Sequence, residues 1–506
     1  MLDDEDDDCQ VPSRRGTKTK PITFITRTAV AFAECLTHLV RPSFLNNDLE
    51  SKGKVTRHHS RYPTTRTSTA ALDGLRGHAA FAVMNYHILY AYRTDVFYGY
   101  GLSPSAAIAC ARPEDVHAFN RWLHQLPILR LFYTGTWPVS VFYVISGLVL
   151  AFKPLRTGND SFSKGVAATA SSLLRRPFRL YGPPVVATFL TMLVIQAGGY
   201  EHGRTVASDR TWVSVINETH QQRFDSLGLQ IRDWARQTWR MLNVFWWGER
   251  HNRYDVHLWT IPAEFRCSLA VFLVLPTCLA IRPRVRKVML GLLVAYVYAL
   301  DRWDVALFYS GLLIADTLTP NASRSSPPPE GTVLKPPLGG LIPAAKAFLL
   351  FASLFLLSAP DFCAASTPGY RLLGRLIPSS DPAPFRFLPN IGAVMLVSLV
   401  VHTRPENPLL SRLLNSAVPQ YLGRISYSLY IVHGPLIHTA GYTLFPLFWT
   451  VSGQDEAWRY FAGFAVAYLV LVCITIYVAD RFCELVDMPF VRLARAFRDL
   501  VAGEGE

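Results

Sequence analysis

Apolar runs recur along most of this chain, at about 77–93, 136–153, 179–198, 258–280, 286–301, 303–318, 342–359, 387–402, 422–449 and 459–484. A backbone that crosses hydrocarbon must satisfy every N–H and C=O within itself, so segments of this kind fold as helices. The expected fold class is therefore all-α, a polytopic transmembrane helix bundle of about ten spans. Half of the residues are hydrophobic and only 17% are charged, a balance that disfavours a pair of soluble domains. Several runs fall short of the roughly 20 residues of a straightforward span. Asp301-Arg302 also leaves open whether the fifth and sixth runs are two helices or one broken one.

The formal net charge is +13, yet the Lys and Arg residues sit in short stretches between apolar runs. That is the positive-inside pattern of a membrane protein, not a nucleic-acid-binding face. With an even number of spans, Lys164, Arg175, Arg176 and Arg179 share one side with Arg282, Arg284, Arg286, Lys287, Arg492, Arg495 and Arg498. Both termini are then expected in the cytosol.

The chain divides into a cytosolic tail at 1–70, a membrane domain at 71–486 and a short cytosolic tail at 487–506. The first tail opens on an acidic run, turns basic and Ser/Thr-rich, and reads as mostly disordered, with an interfacial helix at 22–40. The outer segment 199–257 contains Trp212, Trp234, Trp239, Trp246 and Trp247, which suits amphipathic helices at the membrane surface. Residues 319–341, with Pro327-Pro328-Pro329, read as a flexible linker. Sequons at Asn159, Asn217 and Asn321 fall on both sides and do not decide topology. The eight cysteines lack metal-ligand spacing, and no metal site is expected. Cys267, Cys278 and Cys473 read as small core hydrophobes, while Cys110 and Cys363 lie in loops on the same outer side, where a disulfide is open.

Against this background the ionisable residues inside the runs stand out. Arg76 and His87 are eleven residues apart; at about 100° per residue they share one helix face, separated by about 16 Å of rise. Ser146-Gly147 ends the aromatic run of the second span, where small residues suit close packing and Ser146 has a second reading as a site residue. Arg176 and Arg179 have the fork geometry that binds phosphate, or they face lipid headgroups. Glu264, about 10 Å into the fourth span behind Trp259, requires a partner such as Arg266 or a wet pocket. In the ninth span, Tyr427 reads mainly as packing, while His433 falls at a depth like that of His87, with Pro435 as a kink.

Together these pieces resemble the acyltransferase-3 family of integral-membrane acyltransferases. Arg76 with His87 matches the family's opening R-x10-H, and Phe142 to Gly147 resembles its second-helix signature. Arg176-x-x-Arg179 resembles its R-x-x-R, Trp259-Thr260 with Glu264 its W-S/T…E segment, and Gly423 to Pro435 its G-x-I-S-Y-S-L-Y-x-x-H-x-P run. The likeness covers about 68–486 in the expected order. It implies transfer of an acyl group, commonly acetyl, from acyl-CoA as co-substrate to a hydroxyl of a small metabolite or sugar, with no tightly bound cofactor and no obligate protein partner. His87 is the implied catalyst. Arg76, Arg176 and Arg179 are the implied donor-binding residues; Glu264, Trp259, Ser146, Tyr427 and His433 are the pocket candidates. The insert at 199–257, the linker at 319–341 and Pro262 beside Glu264 depart from the family pattern. A proton-coupled transporter using His87, Glu264 and His433, and a non-catalytic acyl-CoA-binding receptor, are the alternative readings.

Overall fold

The computed structural model describes residues 70–110, 122–209, 212–213, 220–248, 251–319, 343–403, 407 and 412–502. The expected helix at 22–40 lies outside these residues, as does almost all of the proposed linker at 319–341. No strand occurs among the described residues, whose regular structure is helical.

In chain order the main helices are α1 (Ala70–Tyr90), α2 (Thr136–Gly158), α3 (Phe162–Gln196), α4 (Glu201–Ser208), α5 (Leu227–Met241), α6 (Thr260–Ala280) and α7 (Pro283–Ala299). They continue with α8 (Trp303–Leu318), α9 (Pro343–Leu357), α10 (Pro384–His402), α11 (Ala417–Leu436), α12 (Tyr442–Ser452), α13 (Ala457–Phe482) and α14 (Met488–Ala502). Among the described residues, five stretches are long and apolar enough to cross a membrane: Thr136–Gly158, Phe162–Gln196, Val256–Ala280, Pro384–His402 and Ala457–Ala502. Helices α1 and α11 have 21 and 20 residues but fall outside that set. They are the two that carry the in-register polar residues.

The central wall is α1, which packs against α2 on one side and α11 on the other. Its Ala80, Val83, Met84 and Ile88 join one buried apolar cluster, and its Leu72, Leu75, Ala79 and Ala82 join the second. Gly147 of α2 and Gly311 of α8 let two backbones touch: a Cβ on Gly147 would lie 2.1 Å from the Phe308 carbonyl oxygen. The fifth and sixth runs are two helices, not one. The break falls at Asp301, whose φ is +60°, and the buried Arg286 of α7 pairs with the buried Asp316 of α8.

The exterior is apolar where a water-soluble protein would be polar. Leu273, Leu292, Phe348, Val451 and Leu469 are all exposed, as in a helical membrane protein whose outer face meets lipid. Cys473 is exposed on α13, so it is not the core hydrophobe expected; Cys267 and Cys278 are buried. Helix α5 is built inside out: Gln230, Gln237 and Thr238 are buried while Leu227, Leu229, Ile231 and Trp239 are exposed, the pattern of a helix resting at an apolar interface. The described part of the C-terminal tail is also helical, with α14 seated on α3 through Phe178 and Phe497 at a 4.6 Å ring separation.

At the His87 end of the bundle, a Cys110–Cys363 disulfide ties the loop after α1 to the loop after α9, with a Cα–Cα distance of 5.4 Å. The backbone N–H of Phe362 donates to the Phe97 carbonyl beside it. The neighbouring Asp361 is half-buried, and desolvation pushes its carboxyl up to about 6 against the opposing pull of Arg130 and Arg386. A carboxyl raised in the fold favours its protonated form, so its contribution is fully present near pH 4 and is lost as pH rises toward 6. Asp361→Asn should therefore gain thermal stability relative to wild type at pH 7 and show no gain at pH 4. Melting curves of the detergent-solubilised proteins test this, and an equal difference at both pH values would refute it.

Candidate active site

Tyr427, Tyr430 and His433 follow one another at three-residue intervals on α11, a spacing that keeps them close to one helix face. At the His87 end, the rings of His87, His257 and His433 converge. Their centroids are 4.1 Å apart for His87 and His257, 4.9 Å for His257 and His433, and 5.2 Å for His87 and His433. One nitrogen from each ring lies within 4.8 Å of the others, a spacing that a shared proton, a hydroxyl or a metal ion can bridge. His433 Nδ1 lies 2.7 Å from the Tyr430 carbonyl oxygen. A carbonyl only accepts, so this nitrogen carries the proton and Nε2 bears the lone pair.

Tyr430 forms the floor of this cluster. Its hydroxyl donates to the His257 carbonyl at 2.5 Å and sits 2.6 Å from Thr260 Oγ1. The other side of Tyr430 faces a cavity of about 70 Å³, whose lining includes Arg76, Tyr143, Ser146, Glu264 and Tyr427. At about 30 Å³ per water, this space holds a few heavy atoms. Ser146 Oγ and Arg176 Nη2 both donate to Glu264 Oε1, at 2.8 and 2.6 Å. Arg176 Nε reaches Ser268 Oγ at 3.1 Å. The partner of Glu264 is thus Arg176, not Arg266, which lies over the Trp247 ring. Pro262 falls in the first turn of α6, where its missing N–H breaks no helical hydrogen bond, and Glu264 keeps its aim.

Arg179 lies within electrostatic reach of Arg176, Arg76 and Asp487. Each of the three guanidiniums has a carboxylate at hand: Asp73 for Arg76 at 3.6 Å, Glu264 for Arg176 at 2.6 Å, and Asp487 for Arg179. Tyr427 is anchored by donating to the Leu180 carbonyl at 2.6 Å and also lines the cavity, so it both packs and faces the pocket. Trp259 is apart from these residues: Arg386 lies 5.3 Å above its ring. Ser146 and Gly147 divide the two readings of their pair, one facing the pocket and the other packing against α8.

The structure adds His257 and Asp255, which the motif reading passed over. Asp255 Oδ1 accepts from the His257 backbone N–H and from Nδ1, both at 3.0 Å. The signal was local: an Asp two residues ahead of a His at the opening of a span is the pattern of a side chain capping its own turn.

Among the described residues, a helical bundle with an apolar exterior and a polar centre that gathers arginine, glutamate and histidine side chains is the class of a helical membrane protein with a buried polar site. The acyltransferase domain that defines the acyltransferase-3 family matches residues 69–478, and the chain belongs to that family. It is a membrane acyltransferase by that membership. The chain is 29% identical over 472 residues to O-acetyltransferase PaAT-1 of Phomopsis amygdali, covering 88% of each. It is 28% identical over 460 residues to acyltransferase R4 of Phoma sp. (strain ATCC 20986 / MF5453), covering 85% of this chain and 96% of that one. Acyltransferase clz18 of Cochliobolus lunatus is 26% identical over 463 residues, with the same coverage. No solved structure matches.

The Arg176–Glu264 pair generates a direct test. Coupling between Arg176→Ala and Glu264→Gln in a double-mutant cycle of thermal stability should be about 1–3 kcal/mol. Strict additivity of the two single effects would show that the pair is not energetically linked.

Proposed function

We propose that this protein is an acyl-CoA-dependent O-acyltransferase that moves an acyl group, acetyl in the leading reading, to a hydroxyl of a small metabolite or sugar. The observation that carries this is the pair of polar groups that meet at Tyr430. Three imidazoles meet on one side of it, and a cavity lined by Arg76, Ser146 and Glu264 lies on the other. Arg176 and Arg179 bind the donor's phosphates, with Arg76 beside them, and the thioester arm runs along α1 toward His87.

In the reaction, His87 accepts the hydroxyl proton as the acceptor oxygen bonds to the thioester carbonyl carbon. The carbon–sulfur bond then breaks, and His87 returns the proton to the departing thiolate. No oxidant, reductant or other co-reactant is required. Ser146, Glu264 and Tyr427 shape the path between the arginines and the histidines, while His433 is a second imidazole at the point of transfer.

We also propose ten spans with both termini in the cytosol. The disulfide at the His87 end supports this because such bonds persist in an oxidising compartment. The basic residues at the Arg76 end fit the cytosolic face, which is where acyl-CoA is supplied.

Turnover of acetyl-CoA in membranes expressing wild type or variants tests the assignment. His87→Ala should lower thioester consumption by about 10²-fold or more. Arg179→Ala should chiefly raise the KM for acetyl-CoA, by about tenfold, as expected for loss of one phosphate contact. Full activity in His87→Ala would sink the catalytic role, and solute uptake without thioester consumption would replace the enzyme reading with a transporter.

A further inference from the structure

We infer that Asp255, acting through His257, orients His87 and stabilises its charge, forming a relay Asp255–His257–His87 in which Asp255 and His257 are positioning residues. This rests on the proposed role of His87 and adds the groups that hold it.

The relay is built locally first. Asp255 caps the short turn Val256–Trp259, and its Oδ1 accepts both the backbone N–H and Nδ1–H of His257 at 3.0 Å. A carboxylate only accepts, so the His257 proton sits on Nδ1 and Nε2 presents a lone pair. The His257 ring meets His87 edge to face at 4.1 Å. A His87 N–H directed at that lone pair assigns the role of base to the other His87 nitrogen. This is the division of roles that a carboxylate and an imidazole supply in hydrolytic triads, with one more imidazole inserted.

Two independent observations favour a functional reading over a mere structural contact. The side chains of Asp255 and His257 are 1% and 2% exposed, and Asp255 Oδ2 has no hydrogen-bond partner among the described residues. A buried carboxyl satisfied on only one oxygen costs stability, so a fold retains it where its charge acts on a neighbour. Gly434 of α11 also leaves the room the pair occupies. A Cβ there would lie 2.4 Å from His257 Nδ1 and 2.7 Å from Asp255 Oδ1. His433 Nδ1 meets the Leu429 and Tyr430 carbonyls of its own helix.

The other titratable groups facing the relay are Tyr86 and Tyr90 of α1, Tyr430 and His433 of α11, and His438 just beyond it. Tyr200, ahead of α4, is within electrostatic reach of Asp255, and so is Tyr430. Among these groups Asp255 is the carboxyl, and the one that bonds directly to an imidazole of the trio.

The test uses the full-length protein with acetyl-CoA and a panel of hydroxylated acceptors: a sugar, a sterol and a cyclic secondary metabolite. Carbethoxylation of His87 against pH, read by peptide mass spectrometry, gives a second measurement independent of turnover. Asp255→Asn should lower kcat by about 10²-fold or more with the KM for acetyl-CoA within about twofold. It should also move the acid limb of the kcat/KM profile and the His87 carbethoxylation midpoint to lower pH, and Asp255→Glu should restore part of both. Wild-type kcat and an unmoved midpoint in Asp255→Asn, with His87→Ala inactive, would overturn the relay alone. Full activity in His87→Ala would instead remove the parent reading, while a midpoint shift would still register the relay. Activity lost to a chelator and regained with zinc would overturn it by reassigning the three nitrogens to a metal ion.

Discussion

Glu264 and Arg176 hold each other in a bundle that has little else to offer a charge. Both are largely buried, at 18% and 19% side-chain exposure, and each would be costly without the other. Their pairing sets much of the geometry around the cavity. It draws α3 toward α6, gives Ser146 an acceptor, and leaves Arg76 and Arg179 as the guanidiniums not committed to Glu264. The same constraint acts elsewhere: Arg286 with Asp316 joins α7 to α8, and Asp480 accepts from both Arg424 and Arg481. In an apolar bundle, each such pair fixes the relative placement of helices that hydrophobic contact alone would leave free to slide.

Helical class and the polar cluster on α1 and α11 were legible in the sequence because both rest on periodicity. Arg76 and His87 share a face whatever the neighbouring helices do. Glu264 was legible as a residue that demanded a partner, but its partner was not. Arg266 is near in sequence, whereas Arg176 is 88 positions away and meets Glu264 only once α3 and α6 pack. Trp259 illustrates the opposite limit, since a motif neighbour of Glu264 ends up under Arg386 at a helix start. The helix boundary at Asp301 turned on one residue adopting a positive φ, a choice that hydropathy does not encode. Cys473 misled for a related reason: in a membrane protein an apolar position faces either core or lipid, and composition does not separate the two.

Tyr430 stands between the cavity and the imidazole cluster, lining the first and contacting the second. Its hydroxyl bridges the His257 carbonyl and Thr260, and so pins the start of α6 to α11 at the level where the cavity meets the imidazoles. The polar groups on either side differ in kind. Below it lie guanidiniums and a carboxylate; above it lie the three imidazoles. The cavity of about 70 Å³ accommodates only a few heavy atoms. The three imidazoles lie beyond Tyr430, at the His87 end. That end also carries the disulfide and the segment in which Asp255 and His257 are set. The same covalent tie thus braces the loops at the end of the bundle where the three imidazoles meet.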